Sequence, residues 1–89
     1  MKTRRRIVLE LRRHYFFEDH EIDDYTYEKK VKELDIDSLS MLEFFLIIEN
    51  GFDLEGKISD YIDMNETGEK TVDEFLDILA EIVDRLGRE

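Results

Sequence analysis

The tripeptide Asp37-Ser38-Leu39 is the first place in the sequence where side-chain type and spacing allow chemistry. A serine at a helix start has two interpretations. As a structural residue, Asp37 or Ser38 caps the helix by accepting a backbone N–H hydrogen bond. As a functional residue, Ser38 supplies a hydroxyl that carries a phosphate, since free N–H groups and the helix dipole favour a phosphodiester there. No His or Lys stands beside Ser38 in the sequence to act as its base, which argues against a self-activating serine hydrolase.

A second candidate is the polar segment 63–74, whose oxygen-bearing residues have the spacing of a calcium-binding EF-hand loop. Gly68 falls at the sixth position, where such loops turn sharply. The expected ligands are Asp63, Asn65, Thr67, Glu69 and Glu74. The competing interpretation is a polar loop that enters a capped helix, with Glu74 and Thr71 forming a capping box.

The length and composition limit the class of protein. A chain of 89 residues suffices for one hydrophobic core, so we expect residues 1–89 to form a single domain. The absence of cysteine excludes disulfides and thiolate chemistry, and the absence of proline favours helices. No apolar run approaches the roughly 18 residues of a membrane span, and the basic start lacks the apolar stretch of a signal peptide. The sequence therefore predicts a cytoplasmic protein.

The charge is divided unevenly along the chain. Residues 1–13 carry a net charge of +5 and the remaining residues −16, within a total of −11. The acidic body is expected to repel nucleic acid and anionic membranes and to attract basic protein surfaces. We expect the basic first helix to pair with this acidic body.

Hydrophobic periodicity predicts an all-α four-helix bundle with a long connector between helices 1 and 2. In the first helix, Thr3 is the expected N-cap, and Ile7, Leu11 and Tyr15 share one apolar stripe with Val8. In the connector, Val31, Leu34 and Ile36 are expected to contact the core. The predicted helices cover about residues 3–17, 38–50, 58–64 and 72–86.

The second predicted helix is apolar on so many sides that it is expected to be central. Its predicted inner stripe consists of Leu39, Leu42, Phe45 and Leu46. The fourth helix follows the i, i+3, i+4 rule closely. Its predicted core positions are Val72, Phe75, Leu76, Leu79, Val83 and Leu86.

The sequence around this second helix resembles the acyl carrier protein family. The shared features are the D-S-L tripeptide at 37–39, Glu43 five residues after the serine, and an acidic exit at Glu49 and Phe52-Asp53. The resemblance covers roughly residues 25–86. Ile36 before the tripeptide and Ser40 after it depart from the family pattern and favour a specialised carrier. The Ile-Glu-Asn run followed by Phe-Asp is also similar to D-alanyl carrier proteins.

The resemblance implies a function and a prosthetic group. Ser38, flanked by Asp37 and Leu39, would receive a 4'-phosphopantetheine arm from coenzyme A through a separate phosphopantetheinyl transferase and would carry acyl or aminoacyl groups as thioesters. Glu43 and Glu49 would meet basic docking patches on acyl-transfer or condensing enzymes. The resemblance implies that the chain is not itself an enzyme. We expect a monomer, and its acidic body predicts that it binds neither nucleic acid nor membrane.

Two alternatives of a different class stay open from the sequence. One is a small helical module that binds calcium through the segment 63–74. The other is a purely protein-binding helical module in which Ser38 is only a helix cap.

Overall fold

The computed structural model describes residues 2–23, 25–34, 36–54 and 57–87, and these residues form helices and turns without a strand. This confirms the all-α class. The α-helices of the described residues are α1 (Lys2–Arg13), α2 (Phe16–Asp19), α3 (Ser38–Gly51), α4 (Met64–Gly68) and α5 (Val72–Gly87). Short 3-10 helices lie at Thr26–Glu28, Val31–Glu33 and Ile58–Tyr61. None of the helices in these ranges combines the length and the hydrophobicity that a membrane span needs.

The first predicted helix is broken at Tyr15, which has a left-handed φ of 59° and an exposed side chain. On an uninterrupted helix, Phe16 would lie above Arg12 and Phe17 above Arg13, on the solvent face. The break instead turns both phenylalanines into the core, where both are buried. The prediction of one helix from 3 to 17 was wrong because burial of two aromatic rings outweighs helix continuity.

Helix α1 packs against both α3 and α5, with Ile7 and Leu11 buried as predicted. The expected capping role of Thr3 was wrong, because Thr3 lies inside α1 and its hydroxyl donates to Asp84 of α5. A neighbouring cation, Arg4, donates to two further α5 carboxylates. The expected pairing between the basic first helix and the acidic body is therefore present.

Helix α3 contacts the core through a different face from the one that the sequence predicted. Its buried residues are Met41, Phe44, Phe45, Ile47 and Ile48. Of the predicted inner stripe only Phe45 is buried; Leu39, Leu42 and Leu46 are 76%, 54% and 55% exposed. The prediction that Leu39 faces the core was wrong. Since α3 is apolar on almost every side, periodicity could not select its inner face, and aromatic packing selects it instead.

Helix α5 follows the sequence prediction closely. Its predicted core positions are buried, apart from the half-buried Leu86. The capping box is also present: Thr71 N–H donates to Glu74 Oε1 (3.0 Å), and Glu74 N–H donates to Thr71 Oγ1 (3.1 Å).

The long connector crosses one end of the helices and is held there by backbone hydrogen bonds. Val31 N–H donates to Lys70 O (2.8 Å), and Val72 N–H donates to Lys29 O (2.9 Å). Val31 is buried, and Leu34 and Ile36 pack on the core as predicted. The connector is thereby fixed beside the start of α5 and against α4.

Candidate functional site

The candidate site is built on the first turn of α3, which begins at Ser38 as predicted. Asp37 is the N-cap: Ser40 N–H donates to Asp37 Oδ1 (2.8 Å), and this backbone hydrogen bond lowers the pKa of the Asp37 carboxyl. Because Asp37 performs the capping, the Ser38 hydroxyl is not needed for it. The Ser38 residue is exposed to solvent.

A groove of about 450 Å³ opens beside this serine, and Ser38 forms part of its wall. The groove lies where α3 meets the end of the connector, the 3-10 helix Ile58–Tyr61 and the start of α4. Its walls are mainly apolar. The apolar lining residues are Val31, Leu34, Ile36, Met41, Leu42, Phe45 and Met64. A groove of this size and character suits a small organic group better than an ion.

Three leucines form an exposed stripe along α3, which we call the leucine stripe: Leu39, Leu42 and Leu46. They follow i, i+3, i+7 spacing and begin at the residue after Ser38. Glu43 lies on the same side of the helix and is exposed. The stripe is a candidate binding surface that sequence reasoning missed, because it assigned these leucines to the core. The exposed Glu43 between them was the signal that this face of α3 meets water.

Glu49, predicted to meet partners, has a structural contact. It is half-buried, and its Oε2 accepts a hydrogen bond from Ile58 N–H at 2.8 Å. This contact ties the last turn of α3 to the 3-10 helix that follows. The exposed carboxylates nearest Ser38 in α3 and its cap are therefore those of Asp37 and Glu43.

The segment 63–74 forms short helix α4 and a turn, in which the three candidate carboxylates make separate hydrogen bonds. Asp63 caps α4 by accepting from Asn65 N–H (2.9 Å), and Thr67 is buried. The Glu69 carboxylate accepts hydrogen bonds from the side chains of Lys32 and Lys30. These hydrogen bonds lower the pKa of Glu69, and the one from Lys32 has the larger effect.

Glu74 is held in the capping box of α5. Within the described ranges, no three His, Asp or Glu side chains are grouped as metal ligands. The fold does not bring the five predicted calcium ligands together.

Comparisons of this sequence and structure with protein families, with curated proteins and with solved structures find no match.

Proposed function

We propose that this chain is a carrier protein of the acyl carrier protein type, with Ser38 as the attachment site of a 4'-phosphopantetheine arm. One observation supports the proposal best: an exposed serine begins α3 and forms part of the wall of an apolar groove. The D-S-L tripeptide, the long connector and the acidic balance agree with it. In this proposal the helices form a variant of the four-helix carrier bundle, in which α4 and the 3-10 helix before it together replace the third helix.

The residues around Ser38 fit a phosphodiester on its hydroxyl oxygen. Asp37 satisfies one N–H of the first turn, while other N–H groups of that turn and the positive end of the helix dipole remain available. The groove offers apolar walls to whatever the arm carries. When bound, the arm supplies a thiol for thioester chemistry, and the chain's own residues position the attachment oxygen.

The loading reaction belongs to a separate phosphopantetheinyl transferase, and the chain acts as substrate. The Ser38 hydroxyl oxygen would bond to the phosphorus of coenzyme A that carries pantetheine, the pyrophosphate bond would break with 3',5'-ADP leaving, and the hydroxyl proton would pass to a base of the transferase or to water. The leucine stripe and Glu43 provide a face that combines apolar surface with negative charge. A partner with an apolar contact surface and basic residues around it matches this face. We expect transferases and acyl-transfer or condensing enzymes to bind it, and the carrier to act as a monomer.

Coenzyme A and a promiscuous phosphopantetheinyl transferase test the proposal directly. The expected result is that intact wild-type protein gains the mass of one arm and that Ser38→Ala gains nothing. Ser40→Ala is the matched control, because it removes a hydroxyl two residues away while keeping the N–H that Asp37 accepts. Circular dichroism checks that both variants are folded.

No mass gain in wild type with several transferases would reject the carrier function. The exposed leucines would then favour the simpler alternative of a protein-binding helical module in which Ser38 only begins a helix.

A further inference from the structure

The groove beside Ser38 ends on an aromatic residue, Phe45. Phe45 lines the groove, yet its side chain is only 4% exposed, so the ring forms the floor. Met41, one turn before it, is also buried and lines the same groove. The floor therefore belongs to the side of α3 that packs into the core.

The space behind this floor is filled by further aromatic rings. The centroid of the Phe44 ring lies 5.8 Å from that of Phe45, 5.2 Å from that of Phe16 and 5.5 Å from that of Phe75. All four side chains are 5% exposed or less. These four phenylalanines, which we call the aromatic cluster, fill the region between α2, α3 and α5. Protein interiors are close-packed, so a chain can enter this region only by displacing rings.

We infer that Phe45 sets the length of the acyl group that this protein shelters. The inference rests on the proposed function, since it concerns the cargo of an arm on Ser38. A short acyl chain lies in the groove against Met41, Leu42 and Met64, and stops at Phe45. A long chain extends past the groove into solvent, because the packed rings next to Phe45 leave no free volume for it inside the protein.

The exposed walls of the groove agree with a short cargo. Its volume of about 450 Å³ lies within the range of ligand pockets, and the groove is open to solvent. One wall is the exposed Leu42, and another is Met64, which is 43% exposed. Such a site shelters a short apolar group in part and does not enclose a long one.

The methionines offer a specific probe. The chain has three, Met1, Met41 and Met64, and the last two line the groove. Protein labelled with 13C at the methionine methyl groups is loaded by the transferase from butyryl-, octanoyl- and palmitoyl-coenzyme A. Methyl spectra assigned with single Met→Leu variants then report on the groove for each chain length.

We expect the butyryl group to shift the Met41 and Met64 methyl resonances relative to the arm alone. The palmitoyl group should shift the Met41 and Met64 methyl resonances no further than the octanoyl group does. The ring resonances of the aromatic cluster should stay unchanged. Continued movement of the Phe44 and Phe75 ring resonances with chain length would place the chain inside the protein and overturn the inference. Loaded protein whose Met41 and Met64 resonances do not respond to any acyl group would overturn it as well.

The variant Phe45→Ala tests the role of the floor. It should open the space behind the groove, so that palmitoyl shifts the Phe44 ring resonances and raises the Tm more than butyryl does. Phe52→Ala is the matched control, because it removes a half-buried phenylalanine ring at the other end of α3, outside the groove. If Phe45→Ala does not fold, Phe45→Leu makes the same test with a smaller opening.

A folded Phe45 variant with the wild-type response to chain length would contradict the assignment of the floor. The experiment distinguishes failure of the two proposals. Absence of loading at Ser38 rejects both, whereas loading without a response of the groove residues rejects only the length limit.

Discussion

Helices α3 and α5 are similar in length and share one core, yet they use apolar residues differently. In α5 the large apolar side chains face inward, and Asp73, Asp77 and Glu81 are exposed. In α3 five apolar residues are buried and the leucine stripe is left in water. Folding accounts for the sequence of α5. It does not account for the outer face of α3, where an exposed apolar stripe is typical of an interaction surface.

The largest expected effect comes from the buried side of α5. Leu79→Ala removes a fully buried side chain and should lower the free energy of unfolding by about 2–5 kcal/mol. Leu46→Ala in the leucine stripe should change the free energy of unfolding by only about 0.5 kcal/mol. Urea denaturation of both variants measures the contrast. Equal losses would mean that the leucine stripe is structural.

The next effect concerns binding. Leu39→Ala should lower the transferase kcat/KM about tenfold, the loss typical of an apolar anchor at an interface. Leu9→Ala is the matched control, because Leu9 is 54% exposed on α1, away from Ser38. A similar loss for both variants would remove the special role of the leucine stripe.

A smaller effect is expected at the start of α5. Thr71→Ala removes the hydroxyl that accepts from Glu74 N–H and should cost about 1 kcal/mol of stability. Thermal unfolding measures the loss, and Ser59→Ala, at an exposed position outside α5, should leave the Tm unchanged. A Tm for Thr71→Ala equal to that of wild type would show that the capping box adds nothing to α5.

The smallest effect is the acid dependence of the α3 cap. The hydrogen bond from Ser40 N–H lowers the pKa of Asp37 in the folded protein. The Asp37 carboxylate therefore contributes to the free energy of unfolding at pH values above its pKa in the unfolded chain. That contribution is lost as the pH falls through the folded pKa. Asp37→Asn keeps a cap that does not titrate, so its stability should fall less than that of wild type below about pH 4. If the stability of wild type and of Asp37→Asn falls equally as the pH is lowered, this role of the Asp37 carboxylate is contradicted.

The contrast between α3 and α5 also explains how far the sequence could predict the fold. A helix with one apolar face can be buried in only one way, so the core positions of α5 were predictable. Its cap was predictable because Thr71 and Glu74 have the spacing of a capping box. The start of α3 at Ser38 was predictable because capping chemistry is local. The inner face of α3 was not, because an almost wholly apolar helix offers several faces to the core. The ring contacts of Phe44 decide between them, and those contacts depend on distant residues.

The break at Tyr15 and the groove could not be predicted from the sequence, because both depend on contacts between residues that are distant in the chain. The break lets Phe16 and Phe17 reach a core built by α3 and α5, which the local sequence does not show. The groove exists because the connector, α3 and α4 meet beside Ser38. Ser38 could be proposed as an attachment site because the D-S-L tripeptide is a local pattern, whereas the groove beside it is a tertiary arrangement.

The central claim is that Ser38 carries the arm, and peptide-level mass spectrometry of protein co-expressed with a phosphopantetheinyl transferase tests it most directly. The account predicts one arm, attached to Ser38, with Ser40 and Ser59 unmodified. An arm attached to any other residue, or a chain that stays unmodified with several transferases, would contradict it.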